Sequence, residues 1–187
     1  MNRRYLGDSY DVVKRLWGEL LLDVAPLYAE PGFIPEELRK DFSRLTRIPM
    51  LPPSVEERYS ILNDPDTGIR PPGAKMEGRK HVLLDRIRRQ VQQPRVVAVV
   101  TFDQSYHRGK TSNQEDQRRQ KMGYLTGAGV FSFYYVSHAP FLFAFGSSEA
   151  CLEVGERLEI AGIPRRRIER ADLASVPSAS SQHIAAP

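Results

Sequence analysis

Two stretches of the chain gather residue types that can do chemistry. The first is Tyr59-Ser60-Ile61-Leu62-Asn63-Asp64-Pro65-Asp66-Thr67-Gly68-Ile69, a short apolar run ending in two carboxylates, a proline and a glycine. The second is the β-branched run 96–102, which ends in Asp103-Gln104-Ser105-Tyr106-His107-Arg108-Gly109-Lys110. Carboxylates delivered by buried strands can accept N–H donors from a substrate, ligate a hard cation such as Mg²⁺, or close a turn. Beside them, Gln104, Tyr106, His107, Arg108 and Lys110 suit either contact with phosphate or a solvated loop.

The elements that must position these residues follow from periodicity. Residues 9–22 place Val12, Val13, Leu16, Trp17, Leu20 and Leu21 on one helical stripe, with Lys14, Arg15 and Glu19 off it. Asp8 is placed as the N-cap of that helix, and Asp11 as a first-turn acid favoured by its dipole. An exposed helix start beside this acidic pair could also bind a ligand. The apolar run Leu20-Leu21-Leu22-Asp23 suggests that the helix gives way to a first strand there. Residues 30–53 read as a proline-punctuated connection or flap with one short helix that has Pro35 at N1.

The prolines Pro71 and Pro72, followed by Gly73, make 69–78 a loop. A helix over 80–92 follows, with Val82, Leu83, Ile87 and Val91 inward and His81 near its start as a cap or surface histidine. The run 96–102 is β-branched throughout, as in strands buried on both faces of a parallel sheet. A polar, basic helix over about 113–125 carries Arg118, Arg119 and Lys121 within one turn. Residues 130–136 and 141–145 are aromatic strands at hairpin spacing. Ser148 caps a helix that runs through Ala161, with Gly162 and then Pro164 as its stop signal.

Strand–helix–strand crossovers of this length are right-handed and set both strands parallel, so the two acidic ends emerge at one edge. Ligands of open α/β sheets bind beyond the carboxyl ends of the strands, so Asp64, Asp66, Asp103 and Gln104 are expected to converge there. The expected fold is α/β, with a mostly parallel sheet flanked by helices and a C-terminal antiparallel hairpin. Residues 1–174 form one domain in this reading. The Ser/Ala/Pro-rich tail 175–187 buries too little to fold.

Composition narrows the function classes. The 187 residues are 41% hydrophobic and 27% charged, and hold a single cysteine, Cys151, which excludes an intramolecular disulfide and a cysteine-rich zinc site. Among Ala150, Leu152 and Val154 it reads as a buried structural thiol. No run approaches the roughly 18 to 20 apolar residues of a membrane span, so no membrane partner is expected. Asp8 and Asp11 stand where a secretory leader would be apolar, which makes the cytoplasm the expected location. A net charge of +4 is compatible with a nucleic-acid partner. No phosphate-cradling Walker loop supports an ATPase.

The order of parts resembles the second half of a Rossmann-like S-adenosylmethionine-dependent methyltransferase, in a form that is truncated or degenerate. In adenine-N6 methyltransferases the motif is Asp/Asn-Pro-Pro-Tyr/Phe, whose side-chain oxygen and proline carbonyl hold the target amine. Asp64-Pro65-Asp66-Thr67 keeps the first two positions and departs at the last two. The leader Tyr5-Leu6-Gly7-Asp8-Ser9-Tyr10-Asp11-Val12-Val13-Lys14 is similar to that of the ribosomal-RNA adenine methyltransferase group. The resemblance implies S-adenosylmethionine as cofactor, with Asp8, Asp11, Lys14 and Asp23 on its side. It also implies Asp64 and Pro65 at the target amine; Asp66 and Asp103, brought to the same edge by the strand ends, complete the candidate catalytic set. Where the family carries a glycine-rich turn after its first strand, this chain has 24–32, with a single glycine at Gly32.

Three functions remain open from the sequence. One is a methyltransferase-like protein acting on or binding nucleic acid. Another is a Mg²⁺-dependent phosphodiesterase or nuclease using Asp64, Asp66 and Asp103, with Lys75 or Lys80 offsetting developing charge. The last is a non-catalytic module that binds nucleic acid or protein through the basic helix and the aromatic hairpin.

Overall fold

Alternate residues of the central strands bury to opposite sides, so one sheet supports two separate cores. Leu62, Val100, Phe133 and Phe143 face one core, while Ile61, Val99, Tyr134 and Leu142 face the other. The computed structural model describes residues 6–74, 78–105 and 113–171. Its helices are α1 (Ser9–Leu21), α2 (Arg39–Thr46), α3 (Leu84–Val91), α4 (Gln114–Gly127) and α5 (Ser148–Ile160). Its strands are β1 (Leu27–Ala29), β2 (Tyr59–Asn63), β3 (Gly68–Ile69), β4 (His81–Val82), β5 (Val96–Phe102), β6 (Phe131–Tyr135), β7 (Phe141–Phe145) and β8 (Ile168–Arg170).

Six strands form the main sheet in the order β1-β2-β5-β7-β6-β8, and β3 and β4 make a small parallel ribbon. Helices α1, α2 and α5 cover the first core through Trp17, Leu21, Phe42, Val154 and Leu158. The second core lies under α3 and α4, through Ile87, Val91, Met122 and Leu125. Among the described residues no helix is long and apolar enough to cross a membrane.

The α/β architecture stands, but the expectation of a mostly parallel sheet is corrected. Of the five neighbouring pairs, β1–β2 and β2–β5 are parallel and the other three are antiparallel. The hairpin folds back so that β7 inserts between β5 and β6. A further antiparallel strand, β8, follows the Arg165–Arg167 turn, within the domain but at residues to which the sequence reading assigned no element. The tail 175–187 lies outside the described residues.

Several boundaries also move. Helix α1 runs to Leu21 and a turn follows, in which Val24 and Ala25 both donate to the Leu21 carbonyl. The first strand is therefore Leu27–Ala29, not the Leu20–Asp23 run. The stripe on α1 is rotated as well: Val12 is 67% exposed, whereas Asp11 and Lys14 are buried. A charged pair takes the inward face because it finds partners there, which hydrophobicity alone cannot show. Residues 30–53 are no flap, since Phe33, Ile34, Leu38, Phe42 and Ile48 are all core. His81 and Val82 pair with Gly68 and Ile69 as a short strand, so α3 starts later, at Leu84. Ser147 rather than Ser148 caps α5.

Candidate functional site at the strand ends

The register of β2 on β5 decides where the acidic residues go. Leu62 pairs with Val100 and Asn63 with Thr101, so the chain continues with Asp64 one step out of phase with Asp103. Side chains alternate along a strand. Asp64 accordingly meets α1 on one side of the sheet and Asp103 meets α4 on the other. Both sit at one edge, as the parallel crossover requires, yet they do not converge.

On the α1 side, Lys14 Nζ donates to Asp64 Oδ2 at 2.8 Å and to Asp11 Oδ1 at 3.0 Å. Asp11 Oδ2 accepts the Gly7 amide at 2.6 Å. Asp8 is the N-cap expected of it, accepting from the amides of Tyr10 and Asp11. All three members of the Asp11–Lys14–Asp64 triad are at most 4% exposed. One ammonium faces two carboxyl groups in a dry setting. Burial pushes the Asp64 carboxyl up from its ordinary value; Lys14 opposes that shift and Asp11 adds to it. Burial works against the Lys14 ammonium too, but the two carboxylates outweigh it and its pKa is raised.

On the α4 side Asp103 is fully buried and ties four segments together. Its Oδ2 accepts from Lys121 Nζ at 2.6 Å and Tyr134 Oη at 2.7 Å. Its Oδ1 accepts the amides of Ile69 at 2.9 Å and Ser105 at 3.2 Å, with Ser105 Oγ at 2.7 Å. Gly68 makes this possible. Its φ is +133°, and a Cβ there would overlap Asp103 Oδ1 and lie 2.7 Å from Asp103 Cα. The glycine of the Asp-Pro-Asp-Thr-Gly stretch is thus required by close approach to the second strand end.

Between the two halves lies Gln104, exposed at the rim. Its Nε2 donates to Tyr10 Oη at 2.6 Å and to the His138 carbonyl at 3.0 Å. Because that carbonyl can only accept, the amide orientation is fixed and Oε1 is the atom left to take an incoming donor. The Tyr10 ring lies 5.4 Å from Phe102 and 5.6 Å from His138 between ring centroids. Beneath the edge, Asn63 and Gln90 exchange hydrogen bonds at 2.8 and 3.1 Å, and Asn63 also reaches Thr101.

Of the other anticipated residues, Pro65 is buried and Asp66 is exposed. The Asp66 amide donates to the Arg79 carbonyl and that of Thr67 to the Lys80 carbonyl, which holds the β3–β4 ribbon against the motif. Arg70, Arg79 and Lys80 are exposed on this ribbon. Tyr106, His107, Arg108 and Lys110, like Lys75, lie outside the described residues. Asp23 is removed from the site: its carboxylate faces solvent beyond the far end of α1, 3.7 Å from Arg157. The helix read as a basic face is corrected too, since Lys121 is buried on Asp103 and Arg118 on Glu169.

The sequence reading missed Tyr10, Lys121, Tyr134 and Ser105 as partners at this edge. Their only signal was position, in that each lies on an element flanking a strand end. Cys151 is the buried thiol expected, its pKa pushed up to about 11 by burial.

Among the described residues, no group of three or more His, Cys, Asp or Glu side chains is placed to hold a metal ion. Asp64 and Asp103 are each taken by a lysine, on opposite sides of the sheet. A methyl donor held by a glycine turn does not fit either. The turn after β1 is Glu30-Pro31-Gly32, and a Cβ at Gly32 would meet its nearest atom, Glu30 Oε1, at an ordinary 3.6 Å. That carboxylate is 3.4 Å from Arg86, an ion pair that occupies the strand end. Comparison with known proteins found no matching family model, curated protein or solved structure.

Proposed function

We propose that the protein is a methyltransferase-like α/β module that binds nucleic acid at the edge formed by Asp64–Gly68 and Asp103–Gln104, without using a methyl donor. The observation that carries the reading is a juxtaposition of charge. The buried triad, in which one ammonium faces two carboxyl groups, lies two residues from Asp66, whose backbone is bonded to the ribbon that displays Arg70, Arg79 and Lys80. A nucleotide offers the matching pair of groups. Its phosphates suit the ribbon cations, and the exocyclic amine of adenine or cytosine suits acceptors at the rim, Asp66 and Gln104 Oε1.

With both of its carboxyl groups ionised, the triad beneath favours an N–H donor over a carbonyl. The two stretches on which the methyltransferase resemblance rests also meet here, since Tyr10, Asp11 and Lys14 come from the leader and Asp64 from the strand-end motif.

Fluorescence anisotropy with labelled single strands tests this. Oligo(dA) and oligo(dC) should bind more tightly than oligo(dT), which has no exocyclic amine. Arg79→Ala with Lys80→Ala should weaken all three alike. Equal binding of the three by the wild-type chain, or none, would refute the reading.

A further inference from the structure

A second surface lies on the outer side of α1 and α5, remote from the ribbon. Of the six large apolar side chains exposed among the described residues, Val12, Leu16 and Leu22 belong to α1 and its C-cap, and Leu152 and Ile160 to α5. Five of the six lie on these two adjoining helices, and Ile160 is the one that lines the groove between them. Ile160 is 86% exposed at the end of α5. Where the helices diverge they leave an open groove of about 480 Å³, with Leu20 and Ile160 on its walls.

Its rim is acidic. Glu19 of α1 and Asp23 just beyond its end line it on one side, and Glu153 and Glu156 of α5 on the other, against the single cation Arg157. Arg157 is shared between Asp23 at 3.7 Å and Glu153 at 3.4 Å, and Arg15 and Arg47 lean on Glu19 from outside the groove. Four carboxylates against Arg157 leave the lining at −3, and Arg15 and Arg47 on Glu19 bring the immediate surround to −1, still negative in a chain whose net charge is +4. The sign selects the occupant. An anionic lipid surface would be repelled, and a second copy docked face to face would oppose like charges.

We infer that the α1–α5 groove docks a basic amphipathic helix of a partner protein, with apolar residues on Leu20 and Ile160 and lysine or arginine against Glu153 and Glu156. An apolar floor with a charged rim is the form that helix-in-groove recognition takes. The surface is independent of the nucleic-acid reading, because neither Arg79 nor Lys80 contributes to it.

The test uses the full chain and two synthetic 18-residue amphipathic helices, one of leucine and lysine and one of leucine and glutamate. Titration calorimetry should show binding of the lysine peptide alone. Amide shift changes in ¹H–¹⁵N spectra should map to α1 and α5. Ile160→Ser should weaken binding at least about tenfold. Glu153→Lys with Glu156→Lys should abolish it, and Glu153→Gln with Glu156→Gln serves if the reversal fails to fold. Equal binding of both peptides, no binding, shifts elsewhere, or affinity unchanged in Ile160→Ser would each overturn the proposal. So would preferential pelleting with phosphatidylserine vesicles or self-association through this face.

Discussion

Lys14 Nζ stands 2.8 Å from Asp64 Oδ2, although fifty residues separate them in the chain, and it is also bonded to Asp11. The pair pins the first turns of α1 to the carboxyl end of β2. Removing the cation would leave two buried carboxylates facing each other. Lys14→Met should therefore destabilise the fold by about 3 to 5 kcal/mol, as breaking a buried ion pair does. Asp64→Asn keeps the Lys14–Asp11 pair and brings the triad to neutrality, so its cost should be under about 1 kcal/mol. Urea denaturation of the two variants checks the asymmetry, and equal losses would contradict it.

The pH dependence of stability should carry the mark of the same triad. The Asp64 carboxyl is raised, so the folded state binds its proton more tightly than the unfolded chain does. Its contribution is unfavourable above the folded pKa and is relieved as pH falls from there towards the ordinary value of 3.8. Relative to Asp64→Asn, the wild-type chain should gain stability as pH falls through that window. Lys14 is also raised; its stabilisation is full below 10.5 and is lost as pH rises through its higher folded pKa. Denaturation midpoints of wild type and Asp64→Asn, compared between pH 7 and 4, test the acid limb.

Gly68→Ala should be among the most damaging single changes in the chain. It combines a backbone conformation that L-residues rarely adopt with a Cβ driven into Asp103. A loss of about 3 kcal/mol or more is expected. Gly73→Ala is the control: it also has positive φ, but nothing lies within 4 Å of its Cβ, so it should cost clearly less. Thermal unfolding distinguishes the two.

Salt dependence should expose the ribbon. If Arg79 and Lys80 each neutralise a phosphate of a single strand, replacing both with alanine should reduce the slope of log affinity against log salt by about 1.4. Asp64→Asn should leave that slope unchanged and reduce the preference for oligo(dA) over oligo(dT). Titrations at several salt concentrations read both effects.

Cys151 should resist thiol reagents while the chain is folded. The thiol is 9% exposed and its pKa is near 11, so little thiolate forms at neutral pH. Labelling by a chromogenic disulfide should proceed at the rate of unfolding, and an instant reaction would show that the α5 face opens.

What the sequence disclosed about this fold depended on how local each cause was. Asp8 could be read as a cap, and 96–102 as a buried strand, because the reasons lie within a few residues. The aromatic hairpin was legible for the same reason. The sheet's mixed direction was not, because β7, the later strand in the chain, takes the place beside β5 while β6, the earlier one, lies outside it. Lys14 was placed off the helical stripe because its partner lies in another element. The strand ends were correctly put at one edge, but phase was missed: a one-residue offset sends Asp64 and Asp103 to opposite faces, and only the register contains it. Lys121 illustrates the limit well, since a lysine in a polar helix reads as solvated until the carboxylate that buries it is known.

The two lysine–aspartate pairs have a consequence for how the chain assembles. Lys14 precedes its partner by fifty residues, and Lys121 follows its own by eighteen. Helix α1 emerges before β2 during synthesis, with a cation on its inner face that has only Asp11 for company. Its docking against the sheet must wait until β2 has emerged, and each such delay adds loop-closure entropy. Amide protection should accordingly appear in β2 and β5 before α1, which makes the leader helix the last part of the strand-end site to take its place.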